Sequence, residues 1–295
     1  MMTDATLQQP PIRPEYERVV SMPAAIGNSV QPLPLVERIW NVALVRKIVI
    51  LAVLAATWEL YARYVANPLM FPTFSDTIGA WWEGIASGVI GQRLLVTLQI
   101  LIMGYAIGLA LAALFVSIAI SSRIGTDLLS SLTAMLNPLP AIAMLPLALL
   151  WFGLGAPAII FVIVNSVLWA VALNTHSGCL AVSETLRMAG QTFGLRGFRY
   201  VTRILMPAAL PAILSGLKIG WAFAWRTLIA AELVFGVSSG RGGLGWYIFE
   251  NRNLLNTANV FAGLLTVMAV GLIVEGLVFR FIEHRTVQRW GMQQS

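Results

Sequence analysis

Six stretches of this chain run for about 20 residues or more with few charges, at roughly 47–66, 94–120, 130–152, 156–177, 208–237 and 257–279. A helix rises about 1.5 Å per residue, so some 20 apolar residues cross a hydrocarbon core about 30 Å thick. Lipid offers no hydrogen bonds to a backbone, and a helix satisfies its own. The expectation is an all-α, polytopic membrane protein of six spans. Composition agrees: 58% of residues are hydrophobic and 11% charged, where a soluble domain averages about 25% charged.

The segments between the spans fill in the organisation. Residues 1–34 are polar and rich in proline, with no basic-then-apolar leader, and read as a disordered tail. Leu35–Arg46 reads as an interfacial helix leading into a membrane domain over 35–285, and 286–295 as a second tail. Trp81, Trp82 and Ile85 mark Thr73–Gly88 as a helix along the outer interface. The third span holds Pro138, Pro140 and Pro146, so it is expected to kink or break inside the bundle, where neighbours can satisfy the freed carbonyls.

Orientation follows from Lys and Arg. An even span number puts both termini on one side, with Arg46, Lys47, Arg123, Arg187, Arg196, Arg199, Arg203, Arg280, Arg285 and Arg289, while the other side holds only Arg93, Arg241 and Arg252. The positive-inside rule makes the first side cytoplasmic. It also accounts for the formal net charge of +6 without nucleic acid as a partner.

One cytoplasmic stretch is neither lipid-like nor a plain linker. In Ser183–Leu205, the charges Glu184, Arg187, Arg196, Arg199 and Arg203 interleave with Leu186, Phe193, Leu195, Phe198, Tyr200, Val201 and Ile204. The pattern predicts a helix, a turn at Gly194, and a second short helix ending before Pro207. Each would carry one apolar and one basic face, which suits a protein partner; lipid headgroups are the other possible contact.

Familiar chemistry is largely excluded. No glycine run is followed by Lys-Ser or Lys-Thr, so no nucleotide site of that kind is expected. Gly240–Gly245 matches a dinucleotide fingerprint, but it follows a span with no strand before it and reads as a turn in an outer loop. His176, His284 and Cys179 do not make a metal set, and no nucleophile–base–acid trio can be assembled. The ionisable residues at membrane depth are Glu59, Arg63, Lys218, Arg226, Glu232 and Glu275. Glu59 and Arg63 have the spacing of a helical ion pair. Lys218 and Arg226 lie about 80° apart around a helix and could face one cavity, with Glu232 on another face. Gly104 and Gly108 form a close-packing GxxxG pair.

Met188-Ala189-Gly190, Gly194, Met206-Pro207, Pro211 and Gly216 together resemble the cytoplasmic coupling loop of ABC importer permeases, with Met188 standing where that family carries an acid. Asn137-Pro138-Leu139-Pro140, Trp151–Gly155, Trp225–Leu233 and Gly243-Leu244-Gly245 are similar to the permease branch that serves nitrate, sulfonate, taurine and bicarbonate importers. The resemblance implies a six-span type I permease bundle in a bacterial inner membrane, paired with a second permease copy. It also implies two cytoplasmic ATPase subunits, which bind ATP and Mg, and an extracytoplasmic binding protein. The chain itself would hold no cofactor and would be a transport subunit, not an enzyme. ATPase coupling would involve Glu184, Met188, Ala189, Gly190, Gly194, Arg196 and Pro207. The pathway would involve Lys218, Arg226, Glu232, Pro138 and Pro140. A gradient-driven secondary transporter is the rival class, and would show matched Gly/Pro-interrupted segments in both halves.

Overall fold

The computed structural model describes residues 42–235 and 242–288. The expected tail over 1–34, residues 35–41 of the 35–46 segment, Gly240–Arg241 of the outer turn and the end of the C-terminal tail lie outside the described residues. The chain divides into two units, Met1–Val53 and Leu54–Ser295; the first contributes only the beginning of α1, and the architecture below is that of the second.

Helices and their turns make up the fold, with no strand among the described residues. In chain order they are α1 (Ala43–Val65), α2 (Phe74–Ala86), α3 (Val89–Ser121), α4 (Arg123–Leu136), a 3₁₀ turn (Ala141–Met144) running into α5 (Leu145–Phe152), and α6 (Ala156–Leu180). Then come α7 (Glu184–Thr192), α8 (Gly197–Tyr200), a π turn (Val201–Leu205) continuing into α9 (Met206–Phe235), α10 (Leu244–Asn253) and α11 (Thr257–Ile273). Beyond α11 the helix continues through a π segment (Val274–Phe279) into α12 (Arg280–Glu283).

Among the described residues, four helical runs are long and apolar enough to cross a membrane: α3, α6, Gly197–Val234 and Thr257–Thr286. The pair Arg123–Leu136 and Ala141–Phe152, bent by 86°, makes a fifth if it is one crossing. α1 occupies the first expected span and is 23 residues long, but it is not among those runs.

The expected break in the third span falls at Asn137–Pro140. Pro138 and Pro140 lack the N–H that would continue the ladder, and the backbone resumes with Ala143 N–H donating to Pro140 C=O at 2.9 Å. The first half of this span begins earlier than position 130, at Arg123, because Ser122 caps it: its hydroxyl accepts from Gly125 N–H at 2.9 Å.

α3, α6 and α9 form the centre, and small residues set their register. A Cβ added to Gly104 would lie 2.7 Å from Ile163, and one on Gly108 2.8 Å from Val167, so α3 and α6 run parallel at backbone-close range. On α9, Gly216 meets Asn174 and Gly220 meets Val171, which makes α9 antiparallel to α6. The GxxxG pair thus packs helices within the chain. α6 is the most enclosed: Val162, Ile163, Val167 and Ala172 are fully buried. Outward-facing Ile102, Met103, Ile107 and Leu114 on α3 stay exposed, as lipid contact requires.

At one end of the bundle, Trp58 packs on Phe71, Phe74 and Phe261, and its indole N–H donates to Pro72 C=O at 3.0 Å. Glu59 pairs with Arg63 at 2.6 Å and also accepts from Ser75 N–H at 3.1 Å, anchoring the start of α2. Trp81 donates to Thr266 Oγ1 at 3.0 Å, so α2 lies against α11. The end of α6, α7, α8 and the start of α9 form the opposite end.

Candidate functional site

Between α6, α9 and the Pro138–Pro140 bend lies a cavity of about 360 Å³. α9 presents Arg226, Thr227 and Ala230 to it, and α6 presents Asn165, Ser166 and Trp169. Position 226 is nine residues from the end of α9, and 165 is nine from the start of α6. Both therefore lie roughly 14 Å along the helix from the same end of the bundle. Arg226 makes no ion pair or hydrogen bond among the described residues. Ser166 and Thr227 share a hydrogen bond of 2.9 Å that ties α6 to α9 at the cavity wall. Trp169 donates to Asn165 Oδ1 at 2.9 Å.

Of the five pathway residues expected from sequence, the structure brings Pro138, Pro140 and Arg226 together. Lys218 does not share their cavity: its ammonium meets Glu283 of α12 at 2.5 Å, a contact across 65 positions that helical spacing alone does not reveal.

Glu232 is elsewhere again, fully buried where α9 meets α3 and α10. Its carboxyl group accepts from Thr97 Oγ1 at 3.0 Å and from Gly245 N–H at 2.8 Å, while Thr97 accepts from Leu244 N–H at 2.7 Å. Two of the first N–H groups of α10, which have no partner within their own helix, are satisfied in this way. Gly243 and Gly245 permit the approach. A Cβ on Gly245 would lie 2.6 Å from Glu232 Cβ, and one on Gly243 would overlap the carboxyl group. Two of the glycines that mimic a dinucleotide fingerprint in sequence, Gly243 and Gly245, thus lie against a carboxyl group of the same chain.

The loop expected over 183–205 forms two short helices. α7 ends in a left-handed turn at Gly194, φ +70°, with Leu195 N–H donating to Gly190 C=O at 3.0 Å and Gly194 N–H to Gln191 C=O at 2.9 Å. A side chain at such a φ costs about 1–2 kcal/mol. Gly190 is buried, and a Cβ there would press on Tyr200 and Ile204 at 3.2 Å, so α7 folds back on the start of α9. Glu184 and Arg196 are exposed and Ala189 and Pro207 half-buried. Leu186, Met188, Phe193 and Phe198 are exposed apolar side chains, the two phenylalanines at 81% and 80%.

Sequence reasoning counted Arg187 only as a positive charge, but it fixes this loop. Its guanidinium donates to Cys179 C=O at 2.8 Å and Val182 C=O at 3.1 Å, beyond the last turn of α6, where a cation also meets the negative end of the helix dipole. Asn165, Ser166 and Trp169 were missed as well. The available signal was two adjacent polar residues in the middle of a buried apolar span.

A family model described as binding-protein-dependent transport system inner membrane component matches residues 104–289, which include the cavity and the 183–205 loop. A protein named as an ABC transporter permease in Methanocaldococcus jannaschii is 31% identical over 247 residues, 82% of this chain and 91% of the relative. The SsuC permease of Escherichia coli, named for aliphatic sulfonates, is 28% identical over 75% of this chain and 83% of its own. The nitrate import permease NrtB of a Synechocystis strain is 27% identical over 84% and 91%. These relatives are named as transport permeases and not as enzymes. On its fold and these matches, the chain belongs to the binding-protein-dependent inner-membrane transport components, the permeases of ABC importers.

Proposed function

We propose that this chain is the pathway-forming subunit of an ATP-driven importer of a small oxyanion, acting as a homodimer with two cytoplasmic ATPase subunits and an extracytoplasmic binding protein. ATP and Mg belong to the ATPase. Both termini and the 183–205 loop lie in the cytoplasm, as the Lys/Arg asymmetry requires. Of the five residues expected for the pathway, Arg226 faces the solute beside Pro138 and Pro140, while Glu232 and Lys218 hold the helices around it. The relatives named for sulfonates and nitrate support an anionic solute.

The observation that carries this reading is the form of the loop. It is fixed by Gly190, Gly194 and Arg187, yet leaves Leu186, Met188, Phe193 and Phe198 exposed. A rigid element with an unfilled apolar face suits a groove on an ATPase. Arg187 ties the loop to the end of α6, and Asn165 lies 15 residues back along that helix, roughly 22 Å away. Movement of the loop would then reach the cavity through one buried helix, as a rigid-body shift between discrete arrangements.

Gly194→Val tests the coupling. The permease should still insert, while transport and transport-coupled ATP hydrolysis fall at least about tenfold, since a β-branched residue at positive φ displaces the turn. Full coupled activity in that variant, with the ATPase still co-purifying, would sink the docking assignment.

A further inference from the structure

The polar groups at the cavity have hydrogen-bonding capacity that the fold leaves unused: the Asn137 amide and the two hydroxyls offer both donors and acceptors, and the charge among them is a donor's. An indole N–H can only donate, so the bond from Trp169 orients Asn165 with its amide oxygen towards the ring. The two amide N–H groups of Asn165 then have no partner among the described residues. Ser166 and Thr227 share one bond, which uses one of their two hydroxyl protons and leaves the other free. Arg226 adds five N–H donors and a full charge. No Asp or Glu among the described residues lines the cavity.

This inventory discriminates between ligand classes. A cation would meet Arg226 with no carboxylate to offset it. A neutral polyol would find acceptors at Asn137 and the two hydroxyls but would leave the charge of Arg226 unanswered. A small oxyanion needs donors and positive charge, and has no protons to place. The volume, about 360 Å³, is at the small end of the roughly 300–1,000 Å³ usual for ligand pockets. A bare guanidinium at membrane depth costs at least about 2.5 kcal/mol, so a site that uses it accounts for its presence.

We propose that Arg226, Asn165 and the Ser166–Thr227 hydroxyl pair form an oxyanion subsite within the permease, so that the membrane subunit itself selects solutes by charge. The inference rests on the permease reading above. It deepens that reading by assigning Asn165 as the residue that pairs with the solute beside Arg226, with Trp169 positioning it.

The test uses a thiol placed in the cavity at Ala230→Cys, one helical turn beyond Arg226, in a Cys179→Ala background. In the permease–ATPase complex, nucleotide-free and trapped with ATP and vanadate, the thiol is reacted with 2-sulfonatoethyl methanethiosulfonate and with its trimethylammonium counterpart. Each rate is divided by that reagent's rate with a free thiol in solution. The sulfonate should react at least about tenfold faster in one of the two states, the preference expected for a charge at short range in a partly desolvated site. Arg226→Gln should bring the ratio close to one, Arg226→Lys should keep most of it, and Asn165→Asp should lower it. Equal rates in the parent, a ratio indifferent to Arg226→Gln, or no labelling in either state would each overturn the subsite. Co-purification of the ATPase is scored on the same samples. If no complex forms, the permease reading fails, and the labelling is read in the permease alone; if the complex forms and labelling shows no charge preference, only the subsite fails.

Discussion

Arg226 and Glu232 are six residues apart on α9, and the chain treats them in opposite ways. Glu232 is fully enclosed and its carboxyl group is occupied by Thr97 and by the first turn of α10, with no Lys, Arg or His paired to it among the described residues. Arg226 faces a cavity and is bonded to nothing described. Hydrophobicity cannot separate them, since both are formal charges at membrane depth. What separates them is saturation: a buried group whose hydrogen bonds are all made within the chain holds the structure, and one left open is available to a solute. Lys218, on the same helix, is intermediate, paired with Glu283 but with both side chains about one-third exposed.

The largest effect should come from Glu232→Ala. The change strands the Thr97 hydroxyl proton and Gly245 N–H in a buried site, and leaving such donors unpaired costs about 3 kcal/mol in all. Thermal unfolding of the detergent-purified permease should fall by roughly 6–12 °C, with Glu232→Gln losing less because its amide oxygen still accepts. An unfolding temperature within a degree of the parent would break the comparison, since Glu232 would then be no more structural than Arg226.

A smaller loss is expected at Lys218. Removing one partner of a pair this exposed should cost about 1 kcal/mol or less, and the double change Lys218→Glu with Glu283→Lys should recover most of it. Additive damage in the double variant would show that the two side chains do not act as a pair, and would reopen a pathway role for Lys218.

The elements that proved legible in the sequence are those with a local cause. Long apolar runs specify α3, α6, α9 and α11; Pro138 and Pro140 break the third span; Gly194 sets the turn of the 183–205 loop. The unforeseen elements depend on contacts across the fold. The sequence of α10, LGWYIFENRN, has no clear apolar stripe, because Trp246 and Phe249 lie on the face opposite the buried Leu244, Tyr247 and Ile248. Its start is specified by Glu232 and Thr97, 12 and 147 positions from Leu244. Likewise, spacing put Lys218 and Arg226 near one face of α9, but only the position of α12 decides that Lys218 finds Glu283. The cavity was half legible. Arg226 and the prolines stand out in an apolar chain, whereas Asn165 and Ser166 acquire meaning only when α6 is seen to face them.

Arg226 should give the smallest change in stability and the most informative change in activity. Arg226→Gln breaks no described bond, so its unfolding temperature should stay within about 0.5 kcal/mol equivalent of the parent. The decisive measurement is uptake by the reconstituted importer, comprising the Arg226→Gln permease, its ATPase and its binding protein in liposomes, with labelled nitrate and methanesulfonate as trial solutes and whichever the binding protein retains as the reporter. The account predicts at least a tenfold fall in uptake by a fully assembled complex whose basal ATP hydrolysis is intact. Parental uptake by that same complex would contradict it.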